Sequence, residues 1–179
     1  MNMFFRKYLL VFFSLALLML AGGCRSKAVI PFPGGGGSAG DITVVLDGHV
    51  SKERKRVVEV SQEWIGTPYA YARAEKGVAS DCSGMVMRVY EEAASRRLPR
   101  NSAKQADFCK KIKDKEVKPG DLVFFATGKD PKKVSHVGIM LDKDNFVHMS
   151  SSKGGCVSSI HTPYYTRTFL LFGRVPDFD

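Results

Sequence analysis

The stretch SDCSGMVMRVYEEAA, residues 80–94, places a cysteine at the start of an amphipathic helix. Apolar residues recur at positions that share one wide helical face: Met85, Val86, Val89, Tyr90 and Ala93. The pattern predicts a helix over 82–94, with Cys82 in its first turn. Unpaired backbone N–H groups and the helix dipole favour an anion there, so we expect this thiol to ionise below its free pKa of about 8.5. Cys82 is therefore a candidate nucleophile, although free cysteines are also commonly buried and inert.

A nucleophilic cysteine requires a base that takes its proton and later protonates the leaving amine. His136 begins the apolar segment SHVGIML, and His148 lies in FVHMS, which we interpret as the next strand of a hairpin. An odd loop such as 142–144, or one bulge, would place His148 opposite Gly138, on the same face as His136 and within side-chain reach. An even loop would put the two rings on opposite faces. The alternative is that either histidine only caps the end of a strand.

The remainder of the chain divides into helices followed by strands. Helical patterns occur over 51–65, with Ser51 as N-cap, and over 102–111. After Pro119 the periodicity becomes that of strands, at 122–126, 136–141, 146–150, 156–160 and 169–175. Helices first and strands afterwards are typical of an α+β domain with an antiparallel sheet.

Six segments resemble, in this order, the NlpC-type cell-wall cysteine peptidases: GTPYAYA, DCSGMV, LPRNSAKQ, KPGDLVFF, SHVGIML and NFVHMS. The resemblance covers nearly all of residues 52–176. It implies a papain-like α+β fold, in which N-terminal helices, with the nucleophile at a helix N-terminus, pack on a five- to six-stranded antiparallel sheet.

The resemblance also implies the roles of the catalytic residues. Cys82 is the nucleophile, His136 is the general base and acid, and His148 orients His136 through a hydrogen bond between ring nitrogens. Tyr69, in GTPY, contributes a hydroxyl to the oxyanion hole, together with the backbone N–H of Cys82. A core aromatic side chain is the alternative interpretation of Tyr69.

Asp81 and Ser83 flank the nucleophile, and in members of this family that bind a free peptide amine these positions contact that amine. The alternative roles are structural: Asp81 caps the helix, and Ser83 is a small first-turn residue that permits close packing. Residues 70–80 depart from the family pattern, because Ala72 and Arg73 stand where glycines are common. Since this loop helps to wall the substrate cleft, it is where specificity is expected to differ from that of relatives.

The N-terminal part predicts export and lipidation. Residues 1–23 have a basic start, an apolar run shorter than the roughly 20 residues of a membrane span, and a small-residue end. LAGGC resembles a lipoprotein box in which Cys24 is lipidated, so we expect an anchor to the membrane; an ordinary signal peptide followed by an incidental cysteine is the alternative. Arg25, rather than an aspartate, favours the outer membrane facing the periplasm. Residues 24–47 are rich in glycine and proline and predict a flexible tether, which leaves 48–179 as the peptidase domain.

The charge and the cysteines narrow the compartment and the partners. The chain of 179 residues has a net charge of +9, and removal of residues 1–23 takes away Arg6 and Lys7 and no acidic residue, leaving +7. Export disfavours nucleic acid as a partner, so the membrane surface and the anionic cell wall remain. Cys109 and Cys156 either pair in an oxidising compartment or are two separately buried thiols.

The sequence therefore predicts a peptidoglycan hydrolase, a cysteine endopeptidase that cuts stem peptides or cross-links of murein through a thioester acyl-enzyme. This chemistry requires neither a metal nor a cofactor, and we expect a monomer. An amidase or acyltransferase on the same scaffold, and an inactive lipoprotein that binds the wall, are the alternatives. Two bonds are candidates for cleavage: the γ-D-glutamyl linkage to the diamino acid and the D-alanyl cross-link.

Overall fold

The computed structural model describes the backbone of residues 28–30 and 44–46 and the whole of residues 50–178. Two short strands, β1 (Ala28–Ile30) and β2 (Val44–Leu46), pair antiparallel within the segment predicted to be a flexible tether. Their β-branched residues favour extended backbone. The predicted signal peptide and Cys24 lie outside the described residues, and none of the described helices is long and apolar enough to cross a bilayer.

Three helices form one layer of the domain: α1 (Lys52–Gln62), α2 (Cys82–Ala94) and α3 (Ser102–Phe108). Ser51 caps α1 as predicted, because its side chain accepts a hydrogen bond from the Arg54 amide. α2 has the predicted bounds. α3 ends earlier than predicted, since the chain after Cys109 leaves the helix to pair with the last strand of the sheet.

Six antiparallel strands form the second layer in the order β5-β10-β6-β7-β8-β9. Their bounds are β5 Lys110–Ile112, β6 Leu122–Phe125, β7 His136–Met140, β8 Asn145–Ser150, β9 Gly154–Ser159 and β10 Phe169–Arg174. The hairpin of β3 (Ala74–Glu75) and β4 (Ala79–Ser80) precedes α2, and the short helix α4 (Pro163–Thr168) connects β9 to β10. The five predicted strands are confirmed; β5 was missed because the three residues KKI show no alternation.

Alternation along the strands divides the core between the two faces of the sheet. The face towards α1 and α2 buries Phe124, Val137, Ile139 and Val147 against the apolar sides of the helices. The opposite face buries a second cluster, made of Val123, Phe125, Met140, Phe146 and Phe172, with Tyr165 of α4 packed against it. Because successive strand residues point to opposite faces, neighbouring positions on β7 and β8 serve different clusters.

One buried ion cluster joins the helical layer to the sheet. Asp121, before β6, has no exposed surface and lies 3.0 Å from Arg54 of α1 and 2.7 Å from Arg174 of β10. Arg54 also donates to the Phe178 carbonyl at 2.9 Å, and its guanidinium stacks over the Phe178 ring. The carboxylate of Asp121 thus joins three segments that are far apart in sequence.

We expect Asp121→Ala to lower the free energy of unfolding by about 3–5 kcal/mol, since it removes a fully buried carboxylate that pairs with two arginines. Urea denaturation followed by circular dichroism measures the change. Glu91→Ala is the control, because it breaks an exposed pair with Arg88 and should cost less than about 1 kcal/mol. A loss from Asp121→Ala as small as that of the control would mean that the cluster contributes little.

Candidate active site

Cys82 lies at the first position of α2, almost buried, with 8% of its surface exposed. Backbone N–H groups of Val137, Ser83 and Cys82 itself face the sulfur and favour the thiolate, but they are outweighed by burial, which raises the pKa of the thiol to about 11. The expectation that the helix terminus would lower this pKa is therefore wrong for the free protein. The reason is that the thiolate would lose its hydration between α2 and β7.

The hairpin of β7 and β8 brings the two candidate histidines together. Its register pairs Ile139 with Val147 and Met140 with Phe146. The same register, extended by one pair, places Gly138 opposite His148. The loop has the three residues 142–144, since the Leu141 amide donates to the Asn145 carbonyl. This is the odd loop that a shared face requires.

The rings of His136 and His148 are in hydrogen-bond contact. Nε2 of His136 lies 3.0 Å from Nδ1 of His148, and the ring planes are almost perpendicular, at 85°. Because Nε2 of His136 is occupied in this way, Nδ1 is the nitrogen left to face the cleft that His136 and Cys82 line together. Burial lowers the pKa of His136 to about 4 and that of His148 to about 3, so both rings are neutral at pH 7.

The sequence profile of the NlpC/P60 family matches residues 66–174, more than half of the chain. This chain belongs to the NlpC/P60 family. It is 39% identical over 115 residues to "Probable endopeptidase NlpC" of Escherichia coli K12, a match that covers 64% of this chain and 73% of the relative. It is 32% identical over 123 residues to the E. coli protein named murein DD-endopeptidase MepS/murein LD-carboxypeptidase, covering 68% of this chain and 63% of that one.

Solved NlpC/P60 structures share the fold. A Staphylococcus aureus protein described as similar to lipoprotein superposes with a TM-score of 0.62 at 26% identity, over 73% of this chain and 45% of that one. RipB, a peptidoglycan hydrolase of Mycobacterium tuberculosis, superposes with a TM-score of 0.56 at 21% identity, over 69% of this chain and 64% of RipB. The family, the papain-like α+β fold and the class of cell-wall peptidase, a hydrolase, are thereby confirmed.

Tyr69 of this NlpC/P60 domain lies half-buried between the core and the cleft. It packs against the helix-side cluster and also lines the cleft beside Cys82. Backbone bonds on either side of it, from Ala70 to Ser80 and from Ser80 to Pro68, hold it next to the start of α2. Burial, and then the nearby Cys82, raises the pKa of its hydroxyl, so it stays a proton donor. Its contribution to the oxyanion hole stays a prediction.

Asp81 caps α2, as one of its two predicted roles requires. Its carboxylate accepts from the amides of Gly84 at 2.7 Å and Ala72 at 2.8 Å, and from both terminal nitrogens of Arg100 at 2.8 and 2.7 Å. Burial alone would raise the pKa of Asp81, but these hydrogen bonds, from Arg100 first, hold it below its ordinary value. Ser83 donates to the same carboxylate and accepts from Arg100. Contact of Asp81 or Ser83 with a substrate amine stays a prediction.

Arg100 was missed as a site residue, although it stands in the segment LPRNSAKQ. Its partner Asp81 is nineteen positions away, and only the packing of the loop before α3 against the start of α2 brings the two together. An arginine before a helix has an ordinary interpretation as a solvated charge, so its sequence context offered no signal.

The cleft is a cavity of about 430 Å³ with a largely hydroxyl-bearing wall. Its side chains, beyond those already named, include Thr127, Ser135, Ser150, Ser151, Ser152, Ser158, Thr162, Tyr164 and Tyr165. Lys153 is the one lysine, arginine or carboxylate among the described residues that line it. Sequence patterns did not identify this wall, because it is assembled from strand ends and from α4.

The described cysteines are all free thiols, so the predicted alternative of a Cys109–Cys156 disulfide is wrong. Cys109 packs near Gly173 and Phe124 in the core, whereas Cys156 lines the cleft. His161 is exposed and pairs with Asp144. Within the part of the chain that the structure describes, no three His, Cys, Asp or Glu side chains are grouped so as to hold a metal ion.

We expect the rate of Cys82 alkylation by iodoacetamide to rise about tenfold per pH unit above pH 7, without a plateau near neutrality. The reason is that a pKa raised to about 11 keeps the thiol protonated, so the thiolate fraction follows pH. Peptide mapping by mass spectrometry assigns the label to Cys82. A rate already constant between pH 6 and 8 would mean that an ion pair with His136 exists in the free protein.

Proposed function

We propose that this peptidoglycan hydrolase is a lipid-anchored cysteine endopeptidase that cuts murein peptides with Cys82, His136 and His148. The observation that carries the proposal is the cleft that Cys82 and His136 share, with His148 placed 3.0 Å from the far nitrogen of His136. A nucleophile, a base and a group that orients the base are the parts that acyl transfer requires. A protein that only binds the wall has no use for the three together.

The reaction follows from this order. As the Cys82 sulfur attacks the peptide carbonyl, its proton passes to Nδ1 of His136, and the oxyanion is held by the Cys82 amide and the Tyr69 hydroxyl. His136 then gives the proton to the amine, the C–N bond breaks, and a thioester remains on Cys82. A water molecule, deprotonated by His136, attacks the thioester and releases a carboxylic acid and the thiol.

The wall of the cleft supports a peptide substrate over a lipid amide. Hydroxyl groups of serine, threonine and tyrosine match the amides and carboxylates of a stem peptide, whereas an acyl chain requires an apolar wall. Lys153 offers the charge that a substrate carboxylate would pair with. Murein stem peptides contain D-amino acids and a diamino acid, and their carboxylates make such a pairing favourable.

The neighbourhood of Asp81 supports cleavage within intact wall rather than of freed peptides. A subsite that selects a free amine needs an unpaired carboxylate, and Asp81 already has its charge matched by Arg100. We therefore propose the D-alanyl cross-link, or another bond whose stem peptide remains attached to the glycan, as the bond cut. The name of the E. coli relative, a murein DD-endopeptidase, agrees with that choice.

Lipidation at Cys24, attachment to the outer membrane and a monomeric state complete the proposal. Lipidation rests on the LAGGC box, and the choice of the outer membrane rests on Arg25 directly after it. Labelling with radioactive palmitate in growing cells should mark the wild-type chain and not Cys24→Ser. Fractionation then assigns the membrane.

We expect digestion of purified cross-linked muropeptides to yield monomers with the wild type and none with Cys82→Ser. Mass spectrometry of the products identifies the bond. Cys109→Ala is the matched control, because Cys109 is buried to the same 8% but lies away from the cleft, so it should retain activity. Unchanged muropeptides in both wild-type and variant samples would refute the hydrolase proposal for this substrate.

We expect Lys153→Met to raise KM for a muropeptide about threefold to fivefold at unchanged kcat, as for loss of one exposed ion pair. Lys153→Arg should restore KM, because the charge is kept. Lys143→Met, in the exposed β7–β8 loop, is the control. A fall in kcat rather than a rise in KM would place Lys153 in the chemical step instead of in binding.

A further inference from the structure

The far side of the His148 ring faces a small group of polar side chains. Its Nε2 lies 2.9 Å from the Ser158 hydroxyl, 3.2 Å from the Tyr165 hydroxyl and 3.5 Å from the Cys156 sulfur. His148 has no exposed surface. A proton on Nε2 therefore needs one of these three atoms as its acceptor, because an unpaired buried N–H is costly.

The chemistry of Cys82 decides which nitrogen of His148 must carry the proton. To accept the thiol proton at Nδ1, a neutral His136 must hold its own proton on Nε2. That N–H then donates to Nδ1 of His148 across the 3.0 Å contact, so Nδ1 of His148 must be without a proton. A neutral His148 consequently carries its proton on Nε2, directed at the polar group.

The fold places the two hydroxyls there from separate elements. His148 pairs directly with Cys156 across β8 and β9, and Ser158, two residues further along β9, points to the same face. Tyr165 comes from α4, and its ring packs edge-on against Phe146, with ring centres 4.9 Å apart. Burial raises the pKa of Tyr165 to about 12, so its hydroxyl stays neutral at pH 7.

We propose that Ser158 and Tyr165 are positioning residues that hold His148 in the Nε2–H tautomer, and through it hold His136 as a base towards Cys82. Cys156 is the weakest of the three acceptors, because a thiol sulfur accepts hydrogen bonds poorly. The inference rests on the proposed function for its effect on catalysis. Its effect on the His148 tautomer does not rest on the proposed function.

Without the hydroxyls of Ser158 and Tyr165, the Nδ1–H tautomer of His148 becomes more favourable, because a proton on Nε2 would have only the weak acceptor Cys156. A proton moved to Nδ1 of His148 would be donated to Nε2 of His136, whose own proton would then lie on Nδ1, directed at Cys82. His136 could not accept the thiol proton in that state. The expected effect is mainly a loss of kcat, since Nε2 of His148 lies 2.9 Å from the Ser158 hydroxyl and 3.2 Å from the Tyr165 hydroxyl.

The test uses variants that differ by single hydroxyl groups in the otherwise complete chain. Ser158→Val and Ser158→Thr have nearly the same shape and differ in the hydroxyl, and Tyr165→Phe keeps the ring that covers His148. Thr166→Val is the control, because it removes an exposed hydroxyl next to Tyr165 on α4 that does not line the cleft. Nitrogen-15 NMR of the histidine rings at pH 7 reports which nitrogen of His148 is protonated, and kinetics with cross-linked muropeptides report kcat and KM.

We expect wild-type His148 to be protonated on Nε2 and the Ser158→Val, Tyr165→Phe double variant to shift the proton to Nδ1. Each single variant should lower kcat about threefold to tenfold and the double variant further, with KM within about twofold. Ser158→Thr and Thr166→Val should behave as the wild type. Loss of kcat in a folded double variant whose protonated nitrogen is unchanged would reduce the two residues to a structural role.

Wild-type His148 protonated on Nδ1, or a double variant with unchanged kcat, would overturn the proposal. If the wild type cut no muropeptide, the NMR result would still decide the tautomer of His148. Failure of the proposed function is thus distinguishable from failure of this inference.

Discussion

The position of Cys82, the proposed nucleophile, depends on one buried carboxylate, that of Asp81. It caps α2 and binds the Ala72 amide of the preceding loop, while Arg100 satisfies its charge from the loop before α3. Gly84 makes this closeness possible, since a Cβ atom there would lie 2.4 Å from the Arg73 carbonyl oxygen. Three segments are thereby joined at the first turn of α2, and the place of Cys82 follows from their junction.

The same close packing determines the protonation state of the reacting pair. Burial between α2 and β7 raises the pKa of Cys82 to about 11, and burial lowers that of His136 to about 4. Each charge alone is unfavourable there, whereas a thiolate and an imidazolium formed together attract each other. Under the proposed mechanism, the thiolate therefore forms only during proton transfer, when the bound carbonyl and the oxyanion donors take up the new charge, and the free protein holds a neutral thiol.

A histidine as the third member of the proposed catalytic triad makes a different contribution from a carboxylate. A carboxylate stabilises an imidazolium by its charge, but His148 is held neutral by burial and can only orient His136 by hydrogen bonding. Orientation by a neutral ring depends on its tautomer, which is set by the atoms around its far nitrogen. The hydroxyls of Ser158 and Tyr165 matter for this reason. Gly138 leaves space for the Phe146 ring, which packs beside the His148 ring.

Local patterns in the sequence determined much of this protein. The apolar spacing from Met85 to Ala93 defines α2 and hence the terminal place of Cys82, and the two-residue period of strands reduced the question of His148 to the length of one loop. Such features depend on neighbours along the chain, so they can be inferred from it.

Only the tertiary structure decided the pKa of Cys82, the pairing of Asp81 with Arg100, and the hydroxyl groups beside His148. Each of these results from contacts between separate elements: α2 with β7, α2 with the loop before α3, and β8 with β9 and α4. Burial and hydrogen-bond partners are properties of such contacts. No periodicity along the chain records them.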